Sequence, residues 1–268
     1  MLAEERRQTI LKLLDLREST SATVAELAER LRVSSMTIRR DLTWLEEAGL
    51  LRRVHGGAMA LEADEAEVPF VARSQQAGHE KRTIGRLAAS LIRDGERIVL
   101  DAGTTTLQVA LHLGERQDLT VVTNALPVAQ ALAHHPGVST FVLGGQLKKR
   151  EQCTVGPPVT EALARLTVDR VFLSAMGFSL ARGITDPDIL EAEVKRAMIR
   201  AAHEVVLVAD SSKWGVESFA QIAALAAIQT LVTDLGLPGE AVEVLRAMGV
   251  RVVQPVAEGG RACTALNS

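Results

Sequence analysis

The sequence lacks most of what would commit it to covalent, metal or membrane chemistry. Its two cysteines, Cys153 and Cys263, lie far apart and belong to no CxxC or Cys/His spacing. Neither a disulfide framework nor a metal site is indicated, so no metal ligands are expected. No apolar run reaches the length that spans a bilayer. Met1-Leu2-Ala3-Glu4-Glu5-Arg6-Arg7 lacks the basic-then-apolar order of a signal peptide. A reducing cytoplasmic location, with no membrane partner, is expected. There is no GxGxxG, which argues against a dinucleotide, and no cofactor is expected. Internal repeats and low-complexity segments are missing too. Charge of one sign is also scarce: 30 Lys and Arg face 33 Asp and Glu, a net of −3. That balance does not announce a nucleic-acid binder. Residues 1–57 carry ten basic and nine acidic side chains, so any DNA binding there rests on where the charges sit.

The length of 268 residues suits one large domain or two modest ones. A hydrophobic fraction of 47% and a charged fraction of 24% are ordinary for a soluble protein.

The most informative stretch is Ser34-Ser35-Met36-Thr37-Ile38-Arg39-Arg40-Asp41-Leu42. Ser34 or Ser35 can cap a helix, because a hydroxyl there accepts from the open amides of the first turn. Ile38, Leu42 and Leu45 recur at helical spacing and form one apolar stripe. Ser35, Met36, Thr37, Arg39 and Arg40 lie off that stripe near the amino end, the end that a recognition helix presents to bases and phosphates. A solvated face carrying two arginines by chance is the bland alternative, and the neighbouring segments decide against it. Thr23 to Leu31 reads as a short helix with Thr23 and Glu26 as a capping box and Val24, Leu27, Ala28 and Leu31 as its stripe. Arg32-Val33 is then a tight connection, which makes a helix-turn-helix. Glu4 to Leu16 supplies a first helix, and Ala48-Gly49 is a stop signal. Leu50 to Ala58, turned by Gly56-Gly57, looks like a β-wing offering Arg52, Arg53 and His55 to the DNA backbone. The acids Glu4, Glu5, Glu46 and Glu47 are expected to fall away from the reading end.

Ser34 to Leu42, Leu45, Gly49 and Arg53-Val54-His55-Gly56-Gly57-Ala58 together resemble the signature of the DeoR family of bacterial transcription repressors. The resemblance covers roughly the first sixty residues. It implies double-stranded operator DNA as a partner. DNA-bound dimers of helix-turn-helix proteins match half-sites by their own symmetry, so a homo-oligomer, dimer or higher, is expected.

The expected organisation is α/β: a winged helix-turn-helix over 1–58, a linker over 59–79, a larger open and mostly parallel α/β domain over 80–257, and a tail over 258–268. The linker is marked by Glu62, Asp64, Glu65 and Glu67 before Pro69. Beyond it, helix-like and strand-like segments alternate, which implies a parallel sheet. The expected strands are Arg97–Leu100, Leu119–Val122, Ser139–Leu143, Arg170–Leu173, Glu204–Val208 and Thr230–Val232.

Nearly every one of these strands runs into small or polar residues. Open parallel sheets bind ligands beyond the carboxyl ends of their strands. Gly103-Thr104-Thr105-Thr106 sits between a strand and a helix, where amides and hydroxyls can hold a phosphate. Lys81, Lys213 and the run Lys148-Lys149-Arg150 supply cations, although part of that run reads as a solvated charge cluster. Cys153 reads as a small filler rather than a nucleophile.

Asp101 to Thr105, Thr123-Asn124, Gly144-Gly145, Gly156, Asp169, Gly183-Ile184-Thr185, Lys195-Arg196 and Asp210-Ser211-Ser212-Lys213 resemble the sensor domain of the same family, from about Lys81 to Asp234. That domain is similar in fold to ribose-5-phosphate isomerase. The resemblance implies a small phosphorylated sugar, or a related metabolite, as effector. Gly103, Thr104, Thr105, Thr106 and Lys213 would face the phosphate, and Asp101, Thr123, Asn124 and Gly145 would line the site. Arg150 and Lys81 complete the expected effector set.

A sugar-phosphate isomerase with a fused DNA-binding head is the alternative from another class. Aldose–ketose isomerisation needs a carboxylate base. The isomerases carry an acid-rich segment after the matching strand, whereas here Leu173-Ser174-Ala175-Met176-Gly177 has no carboxylate. The reading is therefore a regulator and not an enzyme.

Overall fold

The computed structural model describes residues 3–15, 21–47, 51–54, 56–59 and 70–256. Two compact units divide between Gln76 and Ala77. Among the described residues no helix is long and apolar enough to cross a membrane.

The smaller unit opens with α1 (Ala3–Asp15), β1 (Ser21–Thr23), α2 (Val24–Leu31) and α3 (Ser35–Glu47), followed by β2 (Arg52–Val54) and β3 (Gly57–Met59). Thr23 and Glu26 form the expected capping box at the start of α2. Between α2 and α3, Arg32 adopts a left-handed conformation (φ 53°), which turns the chain within two residues. Ile10, Leu14, Leu27, Leu31, Ile38, Leu42 and Leu45 close one core. The wing is three-stranded, in the order β1-β3-β2. The short strand β1 was not legible in the sequence. It explains Gly57: a Cβ there would lie 2.2 Å from the Ala22 carbonyl oxygen across the β1–β3 pair. The helix stop at Ala48-Gly49 lies outside the described residues.

A short helix, α4 (Phe70–Gln75), follows within the stretch expected to be linker. The larger unit then begins with α5 (Gly78–Ser90), β4 (Arg97–Leu100), α6 (Thr104–Leu111), β5 (Leu119–Thr123), α7 (Leu126–Leu132) and β6 (Val138–Val142). Next come β7 (Gln146–Lys148), β8 (Cys153–Val155), α8 (Pro157–Leu163), β9 (Val168–Leu173), β10 (Gly177–Ser179), β11 (Gly183–Asp186), α9 (Ile189–Ala201) and β12 (Ala202–Val208). The described chain ends with β13 (Ala220–Ala223), β14 (Thr230–Val232), α10 (Gly239–Ala247) and β15 (Arg251–Val253).

Seven strands form one sheet in the order β15-β14-β12-β9-β4-β5-β6, and every pair in it is parallel. Its central residues are apolar on both faces: Val99, Leu100, Val171, Phe172, Val206 and Leu207 are all fully buried, as expected for a sheet covered by helices. The chain builds outward from β4 through β5 to β6, then returns to the other side of β4 with β9 and continues to β15. The strand order therefore reverses between β4 and β9, and a crevice at such a point is where open α/β sheets bind ligands. Two small additions lie outside this sheet: the β7–β8 hairpin and the antiparallel β10–β11–β13 sheet. Both were missed by the sequence reading, as was β15.

Candidate DNA-reading surface and effector site

Ser34 caps α3: its Oγ accepts from the Thr37 amide at 3.1 Å. The cap fixes where the helix starts and so which residues ring its amino end. Ile38, Leu42 and Leu45 turn inward with no exposure, and Ser35, Met36, Arg39 and Arg40 turn outward, with Thr37 half-buried. Neither the Arg39 nor the Arg40 guanidinium meets an acceptor among the described residues. On the wing, the Arg53 guanidinium donates to Thr43 Oγ1 of α3 at 3.2 Å, and Arg52 donates to Met59 Sδ. Glu46 does not fall away from this region. Its Oε1 accepts from the Arg53 amide at 3.1 Å and ties the wing to α3. His55 lies outside the described residues.

Sequence reasoning missed what holds α3 from behind. Asp41 is buried, and its carboxylate accepts from Arg6 Nε at 2.5 Å and from Arg7 Nε at 3.0 Å. The Arg7 guanidinium also lies over the Trp44 ring, 4.2 Å from its centroid. One of the two positive charges that Arg6 and Arg7 add to the head is thus offset internally by Asp41.

In the larger unit, Asp101 ends β4 and Ser174 follows β9, so the two meet at the reversal of strand order. Asp101 Oδ2 accepts from the Ser174 amide at 3.0 Å and from Ser174 Oγ at 2.8 Å. A third donor is Lys195 Nζ of α9, at 2.5 Å. Lys195 is 3% exposed and also lies 3.8 Å from Asp186 Oδ2 at the end of β11. Burial alone would lower the Lys195 pKa, but Asp101, Asp186 and Glu191 outweigh it and hold the ammonium charged. Burial, with smaller contributions from Glu191 and Asp101, raises the Asp186 carboxyl to about 6 despite Lys195 beside it.

Gly103 lies directly against this cluster. A Cβ on it would fall 2.7 Å from Ser174 Cβ, so only glycine lets the α6 loop pass. Gly103 is the N-cap of α6 and offers no side-chain cap. The first-turn amides of Thr104, Thr105 and Thr106 therefore have no side-chain acceptor of their own. All three threonines are buried, and the Thr106 hydroxyl is turned back onto the Gly103 carbonyl at 2.9 Å.

Register places Thr123 of β5 beside Leu100 of β4, so Asn124 stands next to Asp101. Thr123 Oγ1 accepts from the Ala125 amide at 3.1 Å. Asn124 is 2% exposed, and its Nδ2 donates to the Thr154 carbonyl of β8 at 2.9 Å. Its Oδ1 is buried and has no hydrogen-bond partner among the described residues. The same contact brings the β7–β8 hairpin to the crevice, with the exposed Gly145 and Arg150 on it. Lys148 is taken up elsewhere: Nζ lies 2.6 Å from Asp188 and 2.8 Å from Glu191 at the start of α9. Burial opposes the Lys148 charge, but these two carboxylates raise its pKa well above the usual lysine range. Cys153 is fully buried, and burial pushes its thiol up, reinforced by Glu191 and Asp101.

Lys213 sits in a short 3-10 turn after β12, capped by Asp210 through the Ser212 amide. Ser211 fixes that turn by donating to Asp234 from its amide and hydroxyl at 2.6 and 2.8 Å. Lys213 is half-buried, and its ammonium meets no carboxylate among the described residues. Lys81 is buried in the first turn of α5.

Lys195 and Ser174 are thus the residues that sequence reasoning left out of the site. In the sequence, Glu191 and Lys195 look like a surface pair four residues apart. The signal against that reading was local: Lys195 shares its helical stripe with the buried Ala192 and Met198, three residues to either side. A lysine on an apolar stripe must meet a buried carboxylate or be neutral.

Fold and site together define a class: a winged helix-turn-helix regulator joined to an α/β unit with a ligand-type crevice at its switch point. The family follows from comparison. Residues 6–64 match the DeoR-like helix-turn-helix domain and residues 76–235 the DeoR C terminal sensor domain. The chain belongs to the DeoR family of transcriptional regulators. It is 36% identical to the uncharacterized HTH-type transcriptional regulator YulB of Bacillus subtilis (strain 168), over 94% of this chain and 96% of that one. It is 39% identical to the HTH-type transcriptional repressor GlcR of the same organism, over 90% of this chain and 92% of that one. The protein is accordingly a DNA-binding transcriptional regulator and not an enzyme. A solved ribose 5-phosphate isomerase A from Neisseria gonorrhoeae aligns with 51% of this chain and 53% of its own, at 16% identity and a TM-score of 0.37. That likeness is too distant to bear on activity.

Proposed function

We propose that the protein represses genes of carbohydrate metabolism and leaves its operator when a phosphorylated sugar, or a related metabolite, binds the sensor unit. The observation that carries this reading is the α6 amino end: uncapped by any side chain, rich in hydroxyls, and set at the reversal of strand order. Amides at a helix start, with the dipole behind them, favour a phosphate. Lys213, with no carboxylate on it, is the natural countercharge. Gly103 to Thr106 and Lys213 would hold the phosphate, while Thr123, Asn124, Gly145, Arg150 and Lys81 would border the rest. Asp101 acts through Lys195 and Ser174, as the anchor under the loop. Ser35, Met36, Thr37, Arg39 and Arg40 would face the groove, and Arg52, Arg53 and His55 the backbone. Operator half-sites call for a homo-oligomer of at least two copies, operating in the cytoplasm.

The test begins with operator fragments selected by the full-length protein from genomic DNA. Titrating the complex with phosphorylated sugars should release the DNA, and their unphosphorylated forms should not. Lys213→Ala should keep operator affinity and raise the effector midpoint about tenfold, the loss expected for one charge-assisted bond. An unchanged midpoint in a folded Lys213→Ala protein removes that residue from the site. A monomer in light scattering on operator DNA counts against the oligomer.

A further inference from the structure

The seven-stranded sheet ends in two unlike edges, β6 and β15. The β15 edge is blunted: it is three residues long, carries the exposed Arg251 and runs on to Pro255. Short strands, charge and proline are devices that keep an open edge from pairing. The β6 edge, Val138-Ser139-Thr140-Phe141-Val142, has none of them. Its backbone is set for a further strand. The Leu143 amide donates inward to the Thr123 carbonyl of β5 at 2.8 Å, so by strand alternation the amides and carbonyls of Thr140 and Val142 turn outward. Its apolar side chains stand in solvent: Phe141 is 59% exposed and Val142 51%. The β7–β8 hairpin adds the exposed Leu147, and Thr154 Oγ1 holds that hairpin to the chain just after β6 by donating to the Leu143 carbonyl at 2.6 Å. Within the strand, Thr140 Oγ1 is buried and has no hydrogen-bond partner among the described residues.

We propose that β6 is where two copies of this chain meet, each pairing antiparallel with the other across a two-fold axis beside Thr140. This inference rests on the two-copy reading above and names the surface that makes it. The strand is self-complementary in that register. Thr140 stands opposite the partner's Thr140, Val138 opposite the partner's Val142, and Ser139 opposite the partner's Phe141. No charge faces a like charge, because the strand carries none. The outward amide and carbonyl of Thr140 close a hydrogen-bonded pair with the partner's Thr140. Two threonines directly opposite one another also satisfy each other's hydroxyls. A foreign strand would meet the backbone groups alone, whereas two-fold symmetry supplies the hydroxyl's partner by construction. One five-residue strand pair is small beside the roughly 1,200–2,000 Å² that stable interfaces bury. The apolar side chains of Phe141, Val142 and Leu147 are therefore part of the contact.

The experiment uses the full-length protein and reads its mass by light scattering. Wild type should be a dimer or a multiple of one. Thr140→Pro removes an amide that points away from β5, so the strand keeps its place in the sheet and the edge no longer pairs. Phe141→Lys puts a charge on an exposed position of the same edge. Each variant should halve the mass, or raise the dissociation constant of the pair about tenfold or more, with the circular dichroism of wild type retained. Where Thr140→Pro fails to fold, Phe141→Lys carries the test. Cysteine cross-linking in a Cys263→Ser background reads the register, since Cys153 is fully buried. Opposed Cα atoms of a hydrogen-bonded pair lie about 5.5 Å apart, within disulfide reach, so oxidation should join two Thr140→Cys chains. Val138→Cys should not link, because the two copies of that position lie about 13 Å apart along the paired strands. An oligomer whose mass neither folded variant changes overturns the inference and leaves two copies that meet elsewhere. An oligomer that Thr140→Cys fails to join, or that Val138→Cys joins as readily, overturns the pairing about Thr140. A wild-type monomer overturns this inference and the two-copy reading together.

Discussion

At the amino end of α3, Arg39 and Arg40 stand in solvent with no acceptor among the described residues, whereas in the sensor unit Lys195 is buried against Asp101 and Asp186. The contrast follows from what each surface has to meet. Duplex DNA brings its own dense negative charge, so the head can keep Arg39 and Arg40 uncommitted until binding. In the sensor unit Lys195 is buried before any ligand arrives, so it finds its partners inside the fold, while Lys213, which meets no carboxylate among the described residues, is left for the proposed phosphate. The head also contains one pair of the sensor type. Asp41 is as buried as Asp186, but its arginine partners reach it from the rim, 11% and 26% exposed. The two clamps differ in how much water can repair them when broken.

The largest effect expected from that difference is at Lys195. Lys195→Met leaves Asp101 and Asp186 buried together with no cation, and breaking a buried pair in this way costs about 3–5 kcal/mol. The two tryptophans make the measurement local, because Trp44 lies in the head and Trp214 in the sensor unit. Urea unfolding followed in a Trp44→Phe background should show the loss in the sensor transition. A loss below about 1 kcal/mol would mean that water reaches the pair and that the contrast with Asp41 is unfounded.

The Lys195 result also bears on what a sequence can disclose. The helices of the head and their caps were legible, because local rules govern them, while β1 and the Asp41 clamp were not. The Thr23 capping box, the Ser34 cap and the Ile38–Leu42–Leu45 stripe each act within one helix turn or a few. The parallel sheet was legible from its apolar runs. The ion cluster was not, since Asp101 and Lys195 lie 94 residues apart in the chain and meet only through strand order. The three-stranded β10–β11–β13 sheet escaped for a similar reason. Its strands are only three or four residues long, too short for an alternating pattern to emerge. Asn124 was legible as a strand-end residue, yet its unsatisfied oxygen depends on Thr154 taking the other side of the amide.

Next in size is a pH effect at Asp186. Burial raises this carboxyl from its ordinary 3.8 to about 6, so the folded state holds the proton more tightly than the unfolded chain does. Its contribution to stability is fully present below about pH 4 and is lost as pH rises through 6, by about 3 kcal/mol at neutral pH. Asp169, Glu204 and Asp234 are shifted the opposite way: the Arg97 amide lowers Asp169, and in Glu204 and Asp234 burial is outweighed by hydrogen bonds from Arg170 and Ser211, so all three favour neutral pH. The overall curve therefore mixes signs, and the informative quantity is a difference. Stability of wild type minus that of Asp186→Asn should fall steadily between pH 4 and 7. A flat difference would place the Asp186 carboxyl in the ordinary range and show that water reaches it.

A smaller loss is expected at the clamp of the head. Asp41→Asn keeps the shape and one acceptor, and the freed Arg6 and Arg7 can turn to water. The cost should be about 1–3 kcal/mol, read from Trp44 in a Trp214→Phe background. A cost equal to that of Lys195→Met would erase the distinction drawn from rim exposure.

The smallest effect on stability belongs to the residues with the largest expected effect on DNA. Arg39→Ala and Arg40→Ala remove exposed side chains without partners, so each should change unfolding free energy by less than about 0.5 kcal/mol. Their consequence lies in binding. Adjacent residues point about 100° apart around a helix, so the two guanidiniums address different targets in the groove. One substitution should relax sequence choice, with about 1–3 kcal/mol less discrimination at one base pair. The other should weaken all sequences alike and lower the salt slope by about one. Operator and random DNA, each titrated over a range of salt, separate the two behaviours. If both variants lose equally on both DNAs, the pair only neutralises phosphate, and base reading passes to Ser35, Met36 and Thr37. If either variant unfolds more easily than wild type, that arginine has a structural partner, and the picture of a head with uncommitted cations fails at that residue.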